Sequence, residues 1–200
     1  MYKEEKQIRE HGFGRIAGVD EAGRGPLAGP VVAAAVIFDP TYRNRRINDS
    51  KQLTAMNREE LFIEIKNSAL SYAVGIVGWK QIDEMGILEA SKLAMRHAVM
   101  KLDPAPDFII TDAVVINVTG IPQKAIIKGD ENVFSVAAAS IIAKVTRDHL
   151  MMDYHKKYPM YGFDQHMGYG TKVHIKAIEK HGPCQIHRMS FSPFTGRPSD

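Results

Sequence analysis

Two short, mostly apolar runs, Arg15 to Asp20 and Pro30 to Phe38, flank a turn, Gly23 to Gly29, that contains three glycines and a proline. Short runs of small and β-branched residues bounded by turn residues read as buried strands. A chain that opens with two adjacent buried strands must cover both faces of its sheet with later elements. Thr54 caps a predicted helix that runs to about Leu70, with Leu61, Ile65 and Leu70 on its apolar stripe. Tyr72 to Trp79 alternates as a strand; Gln81 to Lys101 is helical with a break at Gly86, places Leu88, Leu93, Met95 and Val99 in the core, and is stopped by Pro104 and Pro106. Asp107 to Ile116 reads as another buried strand and Ala125 to Ile127 as a short one. Ser135 to Leu150 is a helix whose Ala137, Ala138 and Ala139 permit close approach to the sheet. A loop rich in Tyr, Gly and His leads to a last helix, from about Thr171 to His181, and an irregular tail. Adjacent strands followed by strands alternating with helices define an α/β class with a mixed central sheet flanked by helices.

At 200 residues, 44% apolar and 24% charged, the chain suits one globular domain over residues 1–200 and excludes disordered, collagenous and coiled-coil classes. The longest weakly polar run, Pro26 to Phe38, is broken by Pro and Gly and too short to span a bilayer. Met1 to Glu10 is charged and lacks an apolar signal core, and the single Cys184 has no internal disulfide partner; both fit a reducing cytoplasm. Residues 144–200 hold nine Lys or Arg against five Asp or Glu, and six of the eight His. That basic end beside an acidic remainder suits a polyanion-binding enzyme, although so small an excess also fits an ordinary surface.

Asp20 and Glu21 close the first strand at the glycine turn. Successive strand residues face opposite ways, so the pair serves one site only if the chain leaves strand geometry at the second residue, a freedom Gly23 and Gly25 supply. A solvated acidic pair has the same spacing. Asp112 interrupts the apolar run Phe108 to Ile116, where a buried carboxylate needs a partner or a metal. Asp130 follows Lys128-Gly129 before the alanine-rich helix and points to the same sheet edge, or serves as an ordinary loop or capping aspartate. Four carboxylates at one edge suit Mg²⁺ or Mn²⁺ better than zinc. The competing zinc pattern is His181, Cys184 and His187, three local ligands with Pro183 between two of them. The turn Gly23-Arg24-Gly25-Pro26-Leu27-Ala28-Gly29 lacks the Lys-Ser/Thr of a P-loop and has Ala28 in place of the third dinucleotide glycine. It can still set bare backbone N–H groups and one guanidinium against a phosphate or hydroxyl.

The run from Ala17 to Val31, AGVDEAGRGPLAGPV, resembles the opening signature of bacterial ribonuclease HII. Asn48-Asp49-Ser50-Lys51, Asp112, Lys128-Gly129-Asp130, Ser135 to Asp148, Gly168-Tyr169-Gly170-Thr171 and His187-Arg188-Met189-Ser190-Phe191 match it in order, from about residue 15 to 192. The resemblance implies a ribonuclease H-like fold, with the segment from about residue 150 completing a nucleic-acid groove. It makes Asp20, Glu21, Asp112 and Asp130 the ligands of two Mg²⁺ or Mn²⁺ ions. It implies hydrolysis of RNA in RNA–DNA hybrids and cutting 5′ of single ribonucleotides in duplex DNA, leaving 3′-hydroxyl and 5′-phosphate ends. Gly23, Arg24 and Gly25 become the contacts to the ribose and its phosphates, Tyr169 the ring that packs on the next, deoxy sugar, and Lys51 a further substrate contact. Ser140, Lys144 and Arg147 fall on the same helix; Lys144 and Arg147 share a face toward phosphates, or Arg147 pairs with Asp148. Met167 stands where the family commonly has Lys, which implies one phosphate contact fewer.

The expected protein is a monomeric enzyme of ribonucleotide removal, with no membrane partner and no clamp-binding peptide in the tail, Phe191 to Asp200. Three other classes share some of its features: a module that only binds hybrid duplexes, a DNA nuclease of the same superfamily such as a Holliday-junction resolvase or exonuclease, and a zinc domain built on Cys184. All four carboxylates argue against the first. The Gly-Arg-Gly turn and Tyr169 argue against the second, since a nuclease acting only on DNA has no 2′-hydroxyl to read.

Overall fold

A computed structural model describes residues 1–48, 50, 53–118 and 120–195. The order is α1 (Lys3–Glu10), β1 (Ile16–Ala22), β2 (Val31–Ile37), α2 (Ala55–Ser68), β3 (Ser71–Val77), α3 (Trp79–Met85), α4 (Ile87–Met100), β4 (Phe108–Asp112), β5 (Gln123–Ile126), α5 (Gly129–Asn132), α6 (Phe134–Lys157), a 3-10 turn (Pro159–Tyr161), α7 (Phe163–His166) and α8 (Lys172–His181). The sheet runs β3-β2-β1-β4-β5; β1, β2 and β3 form an antiparallel meander, and β4 and β5 lie parallel to β1.

Strand alternation sorts the core into two layers. Ala17, Val19, Val31, Ala33, Ala35 and Ile37 pack with Ala90, Ala94, Met95 and Ala98 of α4. Ala34 and Val36 pack with Leu61 and Ile65 of α2 and with Ala137, Ala138 and Ile141 of α6. The sheet is therefore covered on both faces, as its nearly continuous apolar strands require. Gly18 lies under α6, where an added methyl would overlap the Ser135 and Val136 backbone. Thr54 caps α2 as expected, its hydroxyl accepting from the Asn57 N–H at 3.2 Å, and Thr171 caps α8 by accepting from His174 N–H.

Several expectations need correction. The helix α2 ends at Ser68; Leu70 lies beyond it, donates its N–H to the Ile37 carbonyl and is exposed. Leu88 is 45% exposed because the buried stripe of α4 runs through Ala90, Ser91, Ala94, Met95, Ala98 and Val99. The helix α6 continues past Leu150 to Lys157. Most consequential, β4 stops at Asp112, because Ala113 turns the chain with φ of 55°. Asp112 is thus a strand-end residue rather than a carboxylate inside a strand running to Ile116. Among the described residues no helix is long and apolar enough to cross a membrane.

Candidate active site

Pairing of β1 with β4 ends at Val19 opposite Thr111, whereas β1 continues beside β2 as far as Ala22. A crevice opens there at the carboxyl ends of two parallel strands, the usual place for a site in an open α/β sheet. Asp20, Glu21 and Asp112 line this cleft, whose free volume is about 280 Å³. The expected break in strand geometry at Glu21 does not occur: the chain stays extended through Ala22, and both carboxylates reach the cleft because β4 has ended beside them. Asp130 is buried in the first turn of α5, so it caps neither α5, where left-handed Lys128 holds the N-cap position without a side-chain cap, nor the alanine-rich α6, where Val133 holds it. The α5 N-terminus is tied to the site because Gly129 donates its N–H to Asp112 Oδ1 at 2.8 Å.

The electrostatics are those of a site short of positive charge. Burial raises the Asp20 carboxyl well above its ordinary value, and the negative charges of Glu21, Asp112 and, more weakly, Asp130 add to the rise. Burial also raises Glu21, with Arg24 opposing it through an ion pair at 3.3 Å to Oε1. Glu21 Oε2 is buried and has no hydrogen-bond partner among the described residues. A buried carboxylate oxygen without a donor, beside a second carboxylate held up by like charges, is chemically suited to a hard cation. No three Asp, Glu, His or Cys side chains among the described residues already stand in a metal-ligating arrangement, so binding would draw the carboxylates together.

The glycine turn and Tyr169 form the opposite wall. Gly23, Arg24 and Gly25 line the cleft with Tyr169, which is 45% exposed; a methyl on Gly25 would lie 3.6 Å from the Tyr169 ring. Ser140 lines the cleft while its hydroxyl donates to the Ala137 carbonyl at 2.8 Å. Lys144 also lines it and pairs with Asp148 at 2.8 Å. Arg147 lines the cleft with Lys144, as the shared helix face implied, but its donors are taken by backbone and it does not pair with Asp148. It is buried, its guanidinium donates to the carbonyls of Ala28, Pro30 and Met167, and Asp148 is taken by Lys144 instead. Lys51 lies outside the described residues. Arg58, which nothing in the sequence singled out, reaches the cleft from α2 while donating to the Ser50 and Leu53 carbonyls. Met167 packs into an apolar cluster with Leu27, Met151 and Phe163.

The zinc pattern does not assemble among the described residues. The His187 Nδ1 accepts from the Cys184 N–H at 2.8 Å, its Nε2 meets His174 Nε2 at 3.1 Å, and His174 Nδ1 donates to the Tyr169 carbonyl at 2.9 Å. These contacts assign neutral tautomers: His187 carries its proton on Nε2 and donates to His174. Burial lowers His174 to about 4 and also lowers His187. A histidine depressed in the folded state destabilises as pH falls from its unfolded value of about 6.5 through the folded one. We expect a loss of about 2 kcal/mol for His174 between pH 7 and 4, after allowance for solvent screening. Urea unfolding of the Asp20→Asn protein, which lacks the opposing effect of Asp20, should show stability falling already between pH 6.5 and 5. A flat profile there would contradict the neutral imidazole chain.

The sheet order and the carboxylate crevice define a ribonuclease H-like protein. The chain is similar to the ribonuclease H2 of Pyrococcus horikoshii OT3, with a TM-score of 0.75 and 32% identity over 90% of this chain and 95% of that one. It is also similar to the ribonuclease HII of Archaeoglobus fulgidus, solved in complex with PCNA, with a TM-score of 0.74 and 27% identity over 93% and 98% of the two chains. The family model described as Ribonuclease HII matches residues 17–193. Relatives named Ribonuclease HII share 54% identity over 188 residues in Acetivibrio thermocellus (94% of this chain, 73% of that protein) and 51% over 193 residues in Bacillus mycoides (96% and 75%). The chain belongs to the ribonuclease HII family, and is an endoribonuclease of the ribonuclease H class that acts on RNA–DNA hybrids.

Proposed function

We propose that the enzyme, besides cutting the RNA strand of hybrids, cleaves on the 5′ side of single ribonucleotides embedded in duplex DNA and leaves 3′-hydroxyl and 5′-phosphate ends. One observation carries this reading: the carboxylates at the β1 and β4 ends share a single cleft with the Gly23-Arg24-Gly25 turn and Tyr169. A site of this kind has one wall for the reacting phosphodiester and another for the sugar that bears the 2′-hydroxyl.

Asp20, Glu21, Asp112 and Asp130 would hold two divalent ions, Mg²⁺ or Mn²⁺; the buried, partnerless Glu21 Oε2 and the raised Asp20 carboxyl support that assignment. When bound, such a pair supplies an activated water and a counter-charge for the leaving 3′ oxygen. Gly23, Arg24 and Gly25 bring backbone within reach of the ribose, a closeness that bulkier residues deny. The Arg24 guanidinium is half-exposed beside Glu21 and can turn to a phosphate oxygen. Tyr169 offers a flat face to the neighbouring sugar and favours one without a hydroxyl. Lys144, on the same cleft, neutralises backbone phosphate, and the segment from about residue 150 completes the groove that holds the duplex. Lys51 belongs to the proposed substrate contacts by its place in the family pattern. The enzyme acts as a cytoplasmic monomer on nucleic acid, and the packing of Met167 into the apolar cluster leaves it without a phosphate contact.

Tyr169→Ala tests the sugar wall. Loss of one aromatic face costs about 1.4 kcal/mol, roughly tenfold, at the ribonucleotide-to-DNA junction. The expected result is a tenfold fall in kcat/KM on a DNA duplex carrying one ribonucleotide, with cleavage inside a long RNA–DNA hybrid changed less than threefold. An equal fall on both substrates would reject the role given to Tyr169.

A further inference from the structure

Two arginines, Arg147 of α6 and Arg188 near the end of the described chain, are almost fully buried. Neither has a carboxylate within ion-pair distance among the described residues; Asp148 and Asp83 act on them only from further away. Buried charges are ordinarily paired. Here Arg188 spends its donors on the carbonyls of one loop, and Arg147 joins it there with two of its nitrogens while its Nη1 donates to the Met167 carbonyl at 3.0 Å. Arg188 Nη2 donates to Gly23 O at 2.7 Å and Pro30 O at 3.1 Å, Nη1 to Arg24 O at 3.1 Å, and Nε to Gly29 O at 2.9 Å. Arg147 Nε donates to Pro30 O at 3.0 Å and Nη2 to Ala28 O at 3.1 Å. Arg188 also lies 5.1 Å over the Phe191 ring.

The consequence follows from peptide geometry. In a trans peptide the N–H points opposite to the C=O of the preceding residue. With Gly23 O and Arg24 O drawn to Arg188, the N–H groups of Arg24 and Gly25 are turned away from it, and neither finds an acceptor among the described residues. Gly23, at φ of 98°, is the residue against which Arg147 lies, and a methyl there would overlap the guanidinium. Burial holds Arg147 at about 10 and Arg188 at about 9, so both remain cations at neutral pH.

We infer that Arg147 and Arg188 are a positioning pair for ribonucleotide recognition: they hold the carbonyls of the glycine turn inward, present the Arg24 and Gly25 N–H groups to the substrate, and leave their positive charge to be matched by its phosphodiester. This inference rests on the proposed reading of the turn as the ribose wall. Arg188 acts through the turn from outside the cleft, and Arg147, which borders the cleft, acts through the same carbonyls.

Arg188→Lys keeps the charge but loses the planar fork that serves four carbonyls. In the Asp20→Asn background with Mg²⁺, which prevents cleavage, binding is measured by fluorescence anisotropy to a DNA duplex with one ribonucleotide and to the same duplex in all-DNA form. The expected result is a parent that prefers the ribonucleotide duplex at least tenfold, and an Arg188→Lys variant in which that preference falls below threefold while all-DNA affinity changes less than twofold. Preference retained in the variant overturns the positioning role and leaves the reading of the turn intact. Equal weakening on both duplexes, with a lowered Tm, overturns it in favour of general support of the fold. A parent without preference overturns the reading of the turn and the inference with it. Should Arg188→Lys not fold, Arg147→Lys must show the same loss. In the parent itself the Nε–H resonances of both arginines must shift with the ribonucleotide duplex and not with the all-DNA one; unmoved resonances overturn the proposal.

Discussion

Asp20→Asn should lower cleavage by about a thousandfold or more, while leaving the chain folded and, without metal, more stable than the parent at neutral pH. The rate loss follows from the proposed role of Asp20 as a metal ligand in the cleft it shares with Glu21 and Asp112; about 4 kcal/mol of transition-state stabilisation corresponds to that factor. The stability gain has the opposite cause. The Asp20 carboxyl is raised in the folded protein, so its charged form opposes folding: the stability present below its unfolded value of about 4 is lost as pH rises through the folded one. An amide carries no such charge, and its oxygen still accepts the Glu21 N–H that now bonds Asp20 Oδ1 at 2.8 Å. The Tm difference between variant and parent should therefore be largest near pH 7 in EDTA, shrink toward pH 4, and reverse on adding Mn²⁺. A variant less stable than the parent in EDTA at pH 7 would show that Asp20 is held by the fold rather than strained by it.

Gly18→Ala should cost about 3 kcal/mol or more of stability and about a hundredfold in activity. Gly18 is a point where α6 touches β1, and the two atoms a methyl would meet first are backbone atoms of Ser135 and Val136, which cannot swing aside. The helix must lift from the sheet, and overpacking of this kind is among the larger single-residue costs. The same helix carries Ser140 and Lys144 into the cleft and Arg147 into the glycine turn. A displacement near 1 Å there is enough to lose a hundredfold in rate. Gly78→Ala is the control, because nothing lies within 4 Å of its added methyl; it should stay within about 1 kcal/mol of the parent. Urea midpoints and cleavage rates check both, and a Gly18→Ala protein as stable as Gly78→Ala would contradict the α6 contact.

Periodicity made most of this molecule legible before any coordinates. Short apolar runs marked β1 and β2, which are buried on both faces, alternation marked β3, and helical spacing marked the two helices split at Gly86. The carboxylates were legible for a different reason: acidic residues stood at strand ends and beside glycines. Asp112 was misplaced since the residue that ends its strand is Ala113, which has no preference for positive φ and leaves no mark in the sequence. Arg147 was misread because its partners, Pro30 and Ala28, lie 117 and 119 residues away, and no local pattern announces a guanidinium folded against distant carbonyls. Arg58 escaped for another reason: its partners, Ser50 and Leu53, are only 8 and 5 residues away, but they lie in an irregular loop without a periodic pattern. The H-x₂-C-x₂-H spacing of His181, Cys184 and His187 suggested a metal, but hydrogen bonds to Cys184 and His174 already occupy the two nitrogens of His187.

The proposed function requires one cleft both to find a single ribonucleotide and to cut beside it. The most direct test is incubation of an end-labelled DNA duplex carrying one ribonucleotide with the protein, in Mg²⁺, Mn²⁺ or EDTA, alongside the Asp20→Asn variant and an all-DNA duplex. The expected result is a metal-dependent cut on the 5′ side of the ribonucleotide, absent with the variant and with all-DNA. Cleavage of the all-DNA duplex, or an intact ribonucleotide duplex under conditions where a long RNA–DNA hybrid is degraded, would contradict it.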